Sequence, residues 1–504
     1  MTSISVTSIK NWILQDPLLD YLNLYGDETE KDIFEFEECN FTTYIMNKGN
    51  VYEKKVYEYI HEQAKKFGYT ISEINRNSFY AATKDAFKDK TDIILQPFIK
   101  NWTTGLFGFP DILIKKKLLN RLFECNTVVE GGDEEYVCID VKYSSCSEKN
   151  GLFNTENNYQ TFIACQVMLY GQIINNDRKQ KINYGFVLPK DSNKLLAVEL
   201  NNKERSDLCD MALNWYQYVK THKEDFDLGV CKPNMVELLP NMNNTMDYPW
   251  RKYKTKLAHQ YKELSLISGF GNRLRNGLHN SKQYTFETNL SEKYEKYLQQ
   301  KNLIESFCDK SLTSKLNKNI TIPIGKLYVD IETCYVFEQK KEIIVMITAG
   351  YINYGVIQYC TYTGDEEEIL KEFKQDIETH FKNDTLVHYG GGEAKLFKKL
   401  NLPNKVEDLR ETFIKNFMNN NQLNNLTGFS IKEIMTSLKL SGVINENPYD
   451  ICCIKSGIEV LSIYNYIFEN RLINDRKLLE DEVMKYNKAD VKSLYVIDYY
   501  LNNL

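Results

Sequence analysis

Three charged residues stand in apolar stretches of the sequence, where an uncompensated charge is costly to bury. Asp111 follows "GFP" at the start of an apolar run, and Asp140 and Lys142 alternate with apolar residues in "YVCIDVKY". Because side chains alternate along a strand, Asp140 and Lys142 are expected to share one face, and strand pairing would bring Asp111 beside them. Two carboxylates can bind Mg²⁺, which activates water for attack on a phosphate ester, while an ammonium offsets the developing charge. The alternative is a plain hairpin with a cross-strand Asp–Lys pair.

Residues before and after these strands extend the pattern. Glu53 closes "GNVYE" in a predicted helix, and Gln166 and Tyr170 in "QVMLY" are four apart, so they share one face of the next helix. Taken in order, G-x-x-x-E, G-F-P-D, I-D-V-K and Q-x-x-x-Y resemble the PD-(D/E)XK nuclease superfamily, specifically its RecB-like branch. The resemblance covers residues 41–230.

The resemblance implies roles for these side chains. Asp111, Asp140 and Glu53 would hold a metal ion, and Lys142 would assist the attacking water. Gln166 and Tyr170 would order the site and nearby DNA.

The sequence departs from the family pattern at two points. The 28 residues that separate the two aspartates are more than a tight hairpin needs, so an insertion with "EGGDEE" at its tip is expected. Several members of this branch also ligate an iron–sulfur cluster through four Cys. That Cys pattern does not occur here, and no cluster is expected.

A second acidic pattern lies in the C-terminal part of the chain. In "KLYVDIET", Asp330 and Glu332 fall on one face of a predicted strand, where they repel each other unless a cation lies between them. Tyr486 and Asp490 are four apart in "KYNKADV", and Glu393 follows three glycines. For Glu393 the alternative is a helix-capping or exposed acid.

This second pattern resembles the RNase H-like fold in its DEDD 3′–5′ exonuclease form. The resemblance implies that Asp330, Glu332, Glu393 and Asp490 bind metal and that Tyr486 positions the water, as in the tyrosine subtype. Glu393 stands where the family usually has Asp, one methylene shorter. A RecB-like nuclease followed by an RNase H-like domain also resembles a two-domain family of bacteria, archaea and large DNA viruses.

Between the two patterns lies a basic stretch. Residues 251–282 hold eight Lys or Arg and one Glu. Within it, "LSLISGFGNRLRNGL" resembles the turn of a helix–hairpin–helix, in which backbone amides at a helix N-terminus grip a phosphate. The residues that would contact nucleic acid are Gly269, Gly271, Arg273 and Arg275. A solvated helical linker is the alternative.

The order of helix-like and strand-like segments predicts an α/β protein. In the first half, a helix over 48–69, strands at "FPDILI" and "YVCIDVKY", a helix over 158–174 and two further strands indicate a mixed sheet flanked by helices. In the last part, three strands followed by helices indicate a second α/β domain. The two resemblances imply a restriction-endonuclease-like fold for the first and an RNase H-like fold for the second. The predicted regions are an acidic helical leader over 1–40, a nuclease domain over 41–230, a helical basic bridge over 231–320 and the second domain over 321–504.

Composition narrows the class of protein. The 504 residues carry a net charge of −6, so the chain is not a globally basic nucleic-acid binder, although an enzyme needs only a basic groove. The 12 Cys are scattered without a C-x2-C pair, which argues against a zinc ribbon and for reduced thiols. No signal peptide or membrane span is recognisable, so a soluble intracellular protein is expected.

Together these patterns predict a Mg²⁺- or Mn²⁺-dependent nuclease, an exonuclease acting on DNA ends or single strands in repair, recombination or replication. RNA and a helicase are further candidate partners. Two alternatives stay open: an RNA or DNA 3′–5′ exonuclease that uses only the C-terminal site, and a non-catalytic nucleic-acid-binding scaffold.

Overall fold

The chain is an α/β protein of two compact units, which confirms the predicted fold class at that level. One unit comprises residues 1–32 and 45–261, and the other comprises residues 33–44 and 262–504. The computed structural model describes residues 3–32, 40–75, 79–190, 192–267, 269–285, 323–336, 341–420, 426, 428–454, 456–469 and 475–503.

Helices and strands alternate up to residue 261. The helices are α1 (Lys10–Ile13), α2 (Leu18–Tyr25), α3 (Phe41–Phe67), α4 (Phe79–Lys88), α5 (Leu119–Leu122), α6 (Asn158–Arg178), α7 (Lys203–Thr221) and α8 (Arg251–Tyr261). The strands are β1 (Ile4–Ser5), β2 (Ile71–Glu73), β3 (Ile93–Leu95), β4 (Ile99–Lys100), β5 (Leu106–Gly108), β6 (Ile112–Lys115), β7 (Tyr136–Lys142), β8 (Glu148–Lys149), β9 (Leu152–Phe153), β10 (Tyr184–Pro189) and β11 (Leu196–Glu199).

The main sheet of the first unit is mixed and has the order β2-β3-β6-β7-β10-β11-β9-β8. Its centre is the predicted pair of strands, since β6 runs antiparallel to β7 with Ile112 opposite Ile139. The insertion between them contains a 3-10 turn and α5, and its "EGGDEE" segment returns beside β6, where the Lys116 amide donates to the Glu135 carbonyl.

Helix α6 is buried on almost every side because its middle consists of apolar or small residues. It begins at a capping box in which Asn157 and Gln160 exchange side-chain and backbone hydrogen bonds, and it ends at Lys179 in the left-handed conformation. Gly171 permits the closest approach to the sheet, since a Cβ there would lie 2.4 Å from Leu200. The core thus fixes α6 against β7 and β10.

The sequence indicates an acidic helical leader over residues 1–40; the described residues 3–32 form a short strand, 3-10 turns and helices α1 and α2, and they contribute to the core of the first unit. Val6 and Ile9 are fully buried with the main sheet. Asp16 is buried against Lys254 of α8, whose ammonium lies 2.8 Å from the Asp16 carboxylate and also pairs with Asp247. These contacts join the start of the first unit to its end.

The second unit contains a separate sheet. Its helices are α9 (Asn272–Asn280), α10 (Glu366–His380), α11 (Gly391–Lys399), α12 (Leu409–Asn420), α13 (Ile431–Leu440), α14 (Gly457–Glu469) and α15 (Arg476–Asn502). Its strands are β12 (Lys326–Val336), β13 (Lys341–Asn353), β14 (Val356–Thr363), β15 (Thr385–His388) and β16 (Val406–Asp408), in the order β14-β13-β12-β15-β16.

The prediction that only helices follow the third strand of this unit is wrong. Two short strands, β15 and β16, continue the sheet beyond β12 in parallel. They have four and three residues, too few to show an alternating pattern, and the second contains Glu407 and Asp408.

The predicted basic bridge is only partly helical where it is described. Helices α8 and α9 fall within it, whereas most of 231–250 runs without regular structure, and residues 286–320 lie outside the described part of the chain. Across the described residues, every helix is too short or too polar to cross a lipid bilayer.

Candidate metal centres

The central strands of the first unit bring together the residues predicted from "GFPD" and "IDVK". Because Ile112 faces Ile139, Asp111 comes next to Asp140 one step further along the pair. The Val141 amide donates to Asp111 Oδ2 at 2.6 Å, which fixes that carboxylate at the end of β7. Asp140 itself is buried within the strand.

Lys142 compensates the buried negative charge. Its Nζ lies 2.6 Å from Asp140 Oδ2, so the two residues share a face, as the alternation predicts. Burial and then the neighbouring Asp140 raise the pKa of Asp111 well above its ordinary value. Burial opposes the charge of Lys142, but Asp140 and Asp111 together raise its pKa above the usual range. The ion pair lies within one strand, not across a hairpin.

Glu53 is tied to the same place from α3. Gln96 Nε2 donates to Glu53 Oε1 at 2.5 Å, and the Tyr57 hydroxyl donates to the same carboxylate. The Tyr57 hydroxyl also lies 3.3 Å from the backbone carbonyl oxygen of Asp111, and the backbone N–H of Gln96 donates to that same oxygen at 2.8 Å. We call Glu53, Asp111, Asp140 and Lys142 the first acidic centre.

The Q-x-x-x-Y pair lies behind this centre and is buried. Gln166 Nε2 donates to the Tyr170 hydroxyl at 2.8 Å, as expected for residues one turn apart. Burial and the Asp140 charge raise the pKa of Tyr170. The Tyr170 ring packs on Gly108, where a Cβ would lie only 2.3 Å from Cε1. The glycine of "GFPD" is therefore required by the tyrosine, and the pair is placed to support the centre from inside.

The second unit has its own cluster of carboxylates. Asp330 and Glu332 project from β12 toward α15, which carries Asp490, and their ligand oxygens lie within 4.8 Å of one another. A β-bulge interrupts the pairing of β12 with β13 between Glu332 and Thr333, a feature that re-aims side chains near sites. We call Asp330, Glu332 and Asp490 the second acidic centre.

Hydrogen bonds position these carboxylates, and burial favours their protonated forms. Asn487 Nδ2 donates to Asp330 Oδ2 at 2.5 Å, and the Tyr449 hydroxyl donates to Asp490. Burial and then the Asp490 charge raise the pKa of Asp330 and of Glu332 well above their ordinary values, and burial raises the pKa of Asp490 to about 6. A divalent cation with oxygen ligands at about 2.0–2.6 Å would span such a cluster and remove the repulsion.

Tyr486 lies beside the second acidic centre on the same face of α15 as Asp490. Burial and then the Asp490 charge raise its pKa. Lys432, from the first turn of α13, donates to the Tyr486 hydroxyl at 2.5 Å and lies 4.5 Å from the centroid of its ring. Burial lowers the pKa of Lys432 although Asp490 and Glu332 oppose that shift.

Glu393 stands outside the 4.8 Å group formed among the described residues. It is buried in the first turn of α11, with Oε2 3.8 Å from His388 Nδ1. Burial and then the Asp408 charge raise its pKa to about 7, and Asp490 adds to that shift. The side chain therefore interacts electrostatically with the second acidic centre from a position further away.

The basic stretch does not present both arginines to solvent. Gly271 caps α9, and Arg273 is exposed after it, whereas Arg275 is buried with Nε 2.7 Å from Glu263 Oε1. Residues two apart point to different sides of a helix, so they cannot both face a phosphate. In this arrangement Arg275 supports the turn instead of contacting nucleic acid, which corrects that part of the expectation.

Sequence reasoning missed the residues that hold the carboxylates in place. In the first centre these are Tyr57 and Gln96, and in the second they are Lys432, Tyr449 and Asn487. Tyr57 is one turn from Glu53, and Asn487 lies inside "YNKAD", so helical spacing could have found both. Lys432 carried only a helix-start signal, the capping box of Ser430 and Glu433.

Comparison of the sequence with protein-family models and with curated proteins returns no match to either.

Proposed function

We propose that this chain is a metal-dependent nuclease that hydrolyses phosphodiester bonds, with DNA as its main substrate and an exonuclease mode of action. The observation that carries the proposal is the second acidic centre, where the carboxylates of Asp330, Glu332 and Asp490 approach within 4.8 Å of one another. Asp490 lies at least 158 residues further along the chain than the other two. Such a cluster is costly without a cation, and Mg²⁺ or Mn²⁺ suits hard oxygen ligands.

The first acidic centre supports the same chemistry independently. Three carboxylates, from Glu53, Asp111 and Asp140, interact around one sheet end, and an ammonium lies 2.6 Å from one of them. A divalent metal held there would supply Lewis-acid activation of water. Lys142 is placed to orient that water and to offset negative charge on the phosphate. Gln166 and Tyr170 hold the strand end in position.

The sheets are also consistent with the finer fold proposals, a restriction-endonuclease-like first unit and an RNase H-like second unit. In the second unit, β12, β13 and β14 are antiparallel neighbours, β15 adds in parallel beside β12, and β16 adds in parallel beside β15. This order puts Asp330 on the central strand, next to the helix that carries Asp490. Tyr486 is then positioned to hold the attacking water.

The test uses end-labelled single- and double-stranded DNA and RNA with Mg²⁺, with Mn²⁺ or with EDTA. Wild type is compared with Asp140→Asn, Asp330→Asn and the double variant, which keep side-chain size and remove charge. We expect metal-dependent shortening of DNA that falls about 10³-fold or more when the working centre is changed. Matched controls are Asp20→Asn and Asp376→Asn, buried or half-buried acids outside both centres.

The outcomes separate the candidate functions. Loss of nuclease activity in Asp330→Asn alone assigns catalysis to the C-terminal centre, the candidate that the tight carboxylate cluster favours. Loss with Asp140→Asn alone assigns it to the RecB-like centre. No metal-dependent cleavage of any substrate, with nucleic acid still bound by all variants, would show a binding scaffold and refute the nuclease proposal.

A further inference from the structure

Four aromatic rings of the first unit contact one another in succession, within a cluster that also contains Phe79 and Phe107. The ring centroids of Trp102 and Tyr80 are 5.5 Å apart, those of Tyr80 and Phe98 are 6.2 Å apart, and those of Phe98 and Phe109 are 5.3 Å apart. We call these four residues the aromatic track. Its last ring, Phe109, is two residues before Asp111.

The track is more exposed than a core cluster would be. Trp102 is 60% exposed, Tyr80 46% and Phe109 40%. Large apolar side chains that lie next to one another on a surface mark sites of interaction more often than isolated ones do. Trp102 stands out among the four Trp of the chain, since Trp12, Trp215 and Trp250 are buried or half-buried.

Positive charge accompanies the rings. An open cavity of about 680 Å³ beside Trp102 is lined by four cationic side chains against two acidic ones, in a chain of net charge −6. Lys84 and Lys88 are exposed one turn apart on α4, and Lys100 Nζ lies 4.6 Å from the centroid of the Trp102 ring. This combination of flat apolar rings and cations matches bases and phosphates together.

The alternative occupant is an apolar segment of another protein. The charge of the cavity favours nucleic acid, because an apolar segment gains nothing from Lys84, Lys88 or Arg178. The bases of a duplex are already stacked, so exposed rings that stack on bases need a single strand.

We propose that the aromatic track binds single-stranded nucleic acid by base stacking and directs it along Phe109 to the first acidic centre. This inference rests on the proposed nuclease function, and it names the form of substrate that the first unit takes. Phe109 is held for this role by its neighbour Gly108, which packs on Tyr170 behind the centre.

The test measures binding of a fluorescent dT20 strand to the full chain in EDTA, where no hydrolysis is needed. Trp102→Ala is expected to weaken binding about tenfold, the effect of one lost stacking contact. Trp102→Phe is expected to restore most of the affinity. The matched control is Phe67→Ala, which removes another half-exposed ring under a lysine in the same unit.

Binding to an equal-length duplex is expected to be weaker and insensitive to Trp102. In a second measurement, dT20 should quench tryptophan fluorescence in wild type and lose most of that quenching in Trp102→Phe. Unchanged dT20 affinity in Trp102→Ala, or an equal loss of affinity in Phe67→Ala, would overturn the proposal that the aromatic track binds single strands. Because these assays need no cleavage, an inactive protein that still binds dT20 through Trp102 would refute the nuclease proposal alone.

Discussion

The two acidic centres solve the same electrostatic problem in different ways. The first contains its own cation, since Lys142 Nζ lies 2.6 Å from the Asp140 carboxylate. In the second, three carboxylates approach within 4.8 Å, and Lys432 contacts the hydroxyl of Tyr486. Lys432 also interacts electrostatically with the carboxylates of the second centre, but burial lowers its pKa, whereas the pKa of Lys142 is raised. The first centre is therefore more fully neutralised by the protein, and the second depends more on an added cation.

The difference shows that a cluster of acids has to be judged together with its cations. Burial raises the pKa of Asp111 in the first centre as well as those of Asp330 and Glu332 in the second, so raised pKa values do not separate the two centres. What separates them is the close approach of three carboxylates, and the second centre is therefore expected to respond more strongly to metal than the first.

The largest expected difference concerns the two lysines. Lys142→Met should lower the activity of the first centre about 10²-fold, because its ammonium directly neighbours a carboxylate of the centre. Lys432→Met should lower that of the second only about tenfold, because Lys432 contacts Tyr486 and burial lowers its pKa, which weakens the charge it brings to the centre. Each rate is measured with the other centre silenced by Asp330→Asn or Asp140→Asn. Rescue by Lys432→Arg would support a positioning role, and equal losses at both lysines would contradict the comparison.

Metal should stabilise the second unit more than the first. At 100 times the dissociation constant, a ligand stabilises the folded state by about 2.7 kcal/mol, enough to raise the melting temperature by about 5 °C or more. The shift with Mn²⁺ should disappear in Asp330→Asn and largely persist in Asp140→Asn, as measured by differential scanning calorimetry. A shift that persists in Asp330→Asn would place the stronger site elsewhere.

Without metal, stability should fall as pH rises. Burial raises the pKa of Glu393 to about 7 and that of Asp490 to about 6, so the folded chain binds more protons than the unfolded chain between about pH 4 and pH 7. The stabilisation is complete at low pH and is lost as pH rises through the folded-state values. Unfolding by urea in EDTA at pH 5 and pH 8 should differ by about 2 kcal/mol.

Glu393→Gln assigns that effect. The variant should show a smaller loss between pH 5 and pH 8, although Asp20 of the first unit, whose pKa burial raises to about 7, leaves part of the slope. Excess Mn²⁺ should flatten the profile of wild type. If the pH dependence of the unfolding free energy is the same in Glu393→Gln as in wild type, Glu393 does not cause it.

The smallest expected effects come from two glycines that lie behind the centres. A Cβ at Gly108 would lie 2.3 Å from Tyr170, and one at Gly350 would lie 2.5 Å from Val491, the neighbour of Asp490. Each Gly→Ala change should cost about 1–3 kcal/mol and impair only the centre it supports. Gly132→Ala, where the nearest atom would be 3.6 Å away, is the control and should be neutral.

The sequence predicted what depends on short-range periodicity. The shared face of Gln166 and Tyr170 and the presence of three strands from Lys326 onward follow from helical spacing or alternation. The pairing of β6 with β7 was the condition on which the first centre was predicted, and the structure has it. The convergence of Asp330 and Glu332 with Asp490 was predicted by resemblance, and the structure brings them together.

What depends on tertiary contacts was not predictable in the same way. Lys432 and Tyr449 reach the second centre from separate segments, and nothing in their local sequence marks that destination. Strands β15 and β16 were missed because their structure depends on tertiary pairing, of β15 with β12 and of β16 with β15. Arg275 was the reverse case, because helix geometry alone shows that Arg273 and Arg275 face different sides, although it does not show which of the two is buried.

The buried contact of Asp16 with Lys254 has a consequence for biosynthesis. During synthesis, Asp16 can form its ion pair with Lys254 only after some 240 further residues have left the ribosome, so the first unit cannot complete its core before then. A fragment that stops at residue 230 would lack the groups that bond to the Asp16 carboxylate, which come from Asn241, Asn244 and Lys254. Expression of the first unit alone therefore has to extend through Tyr261.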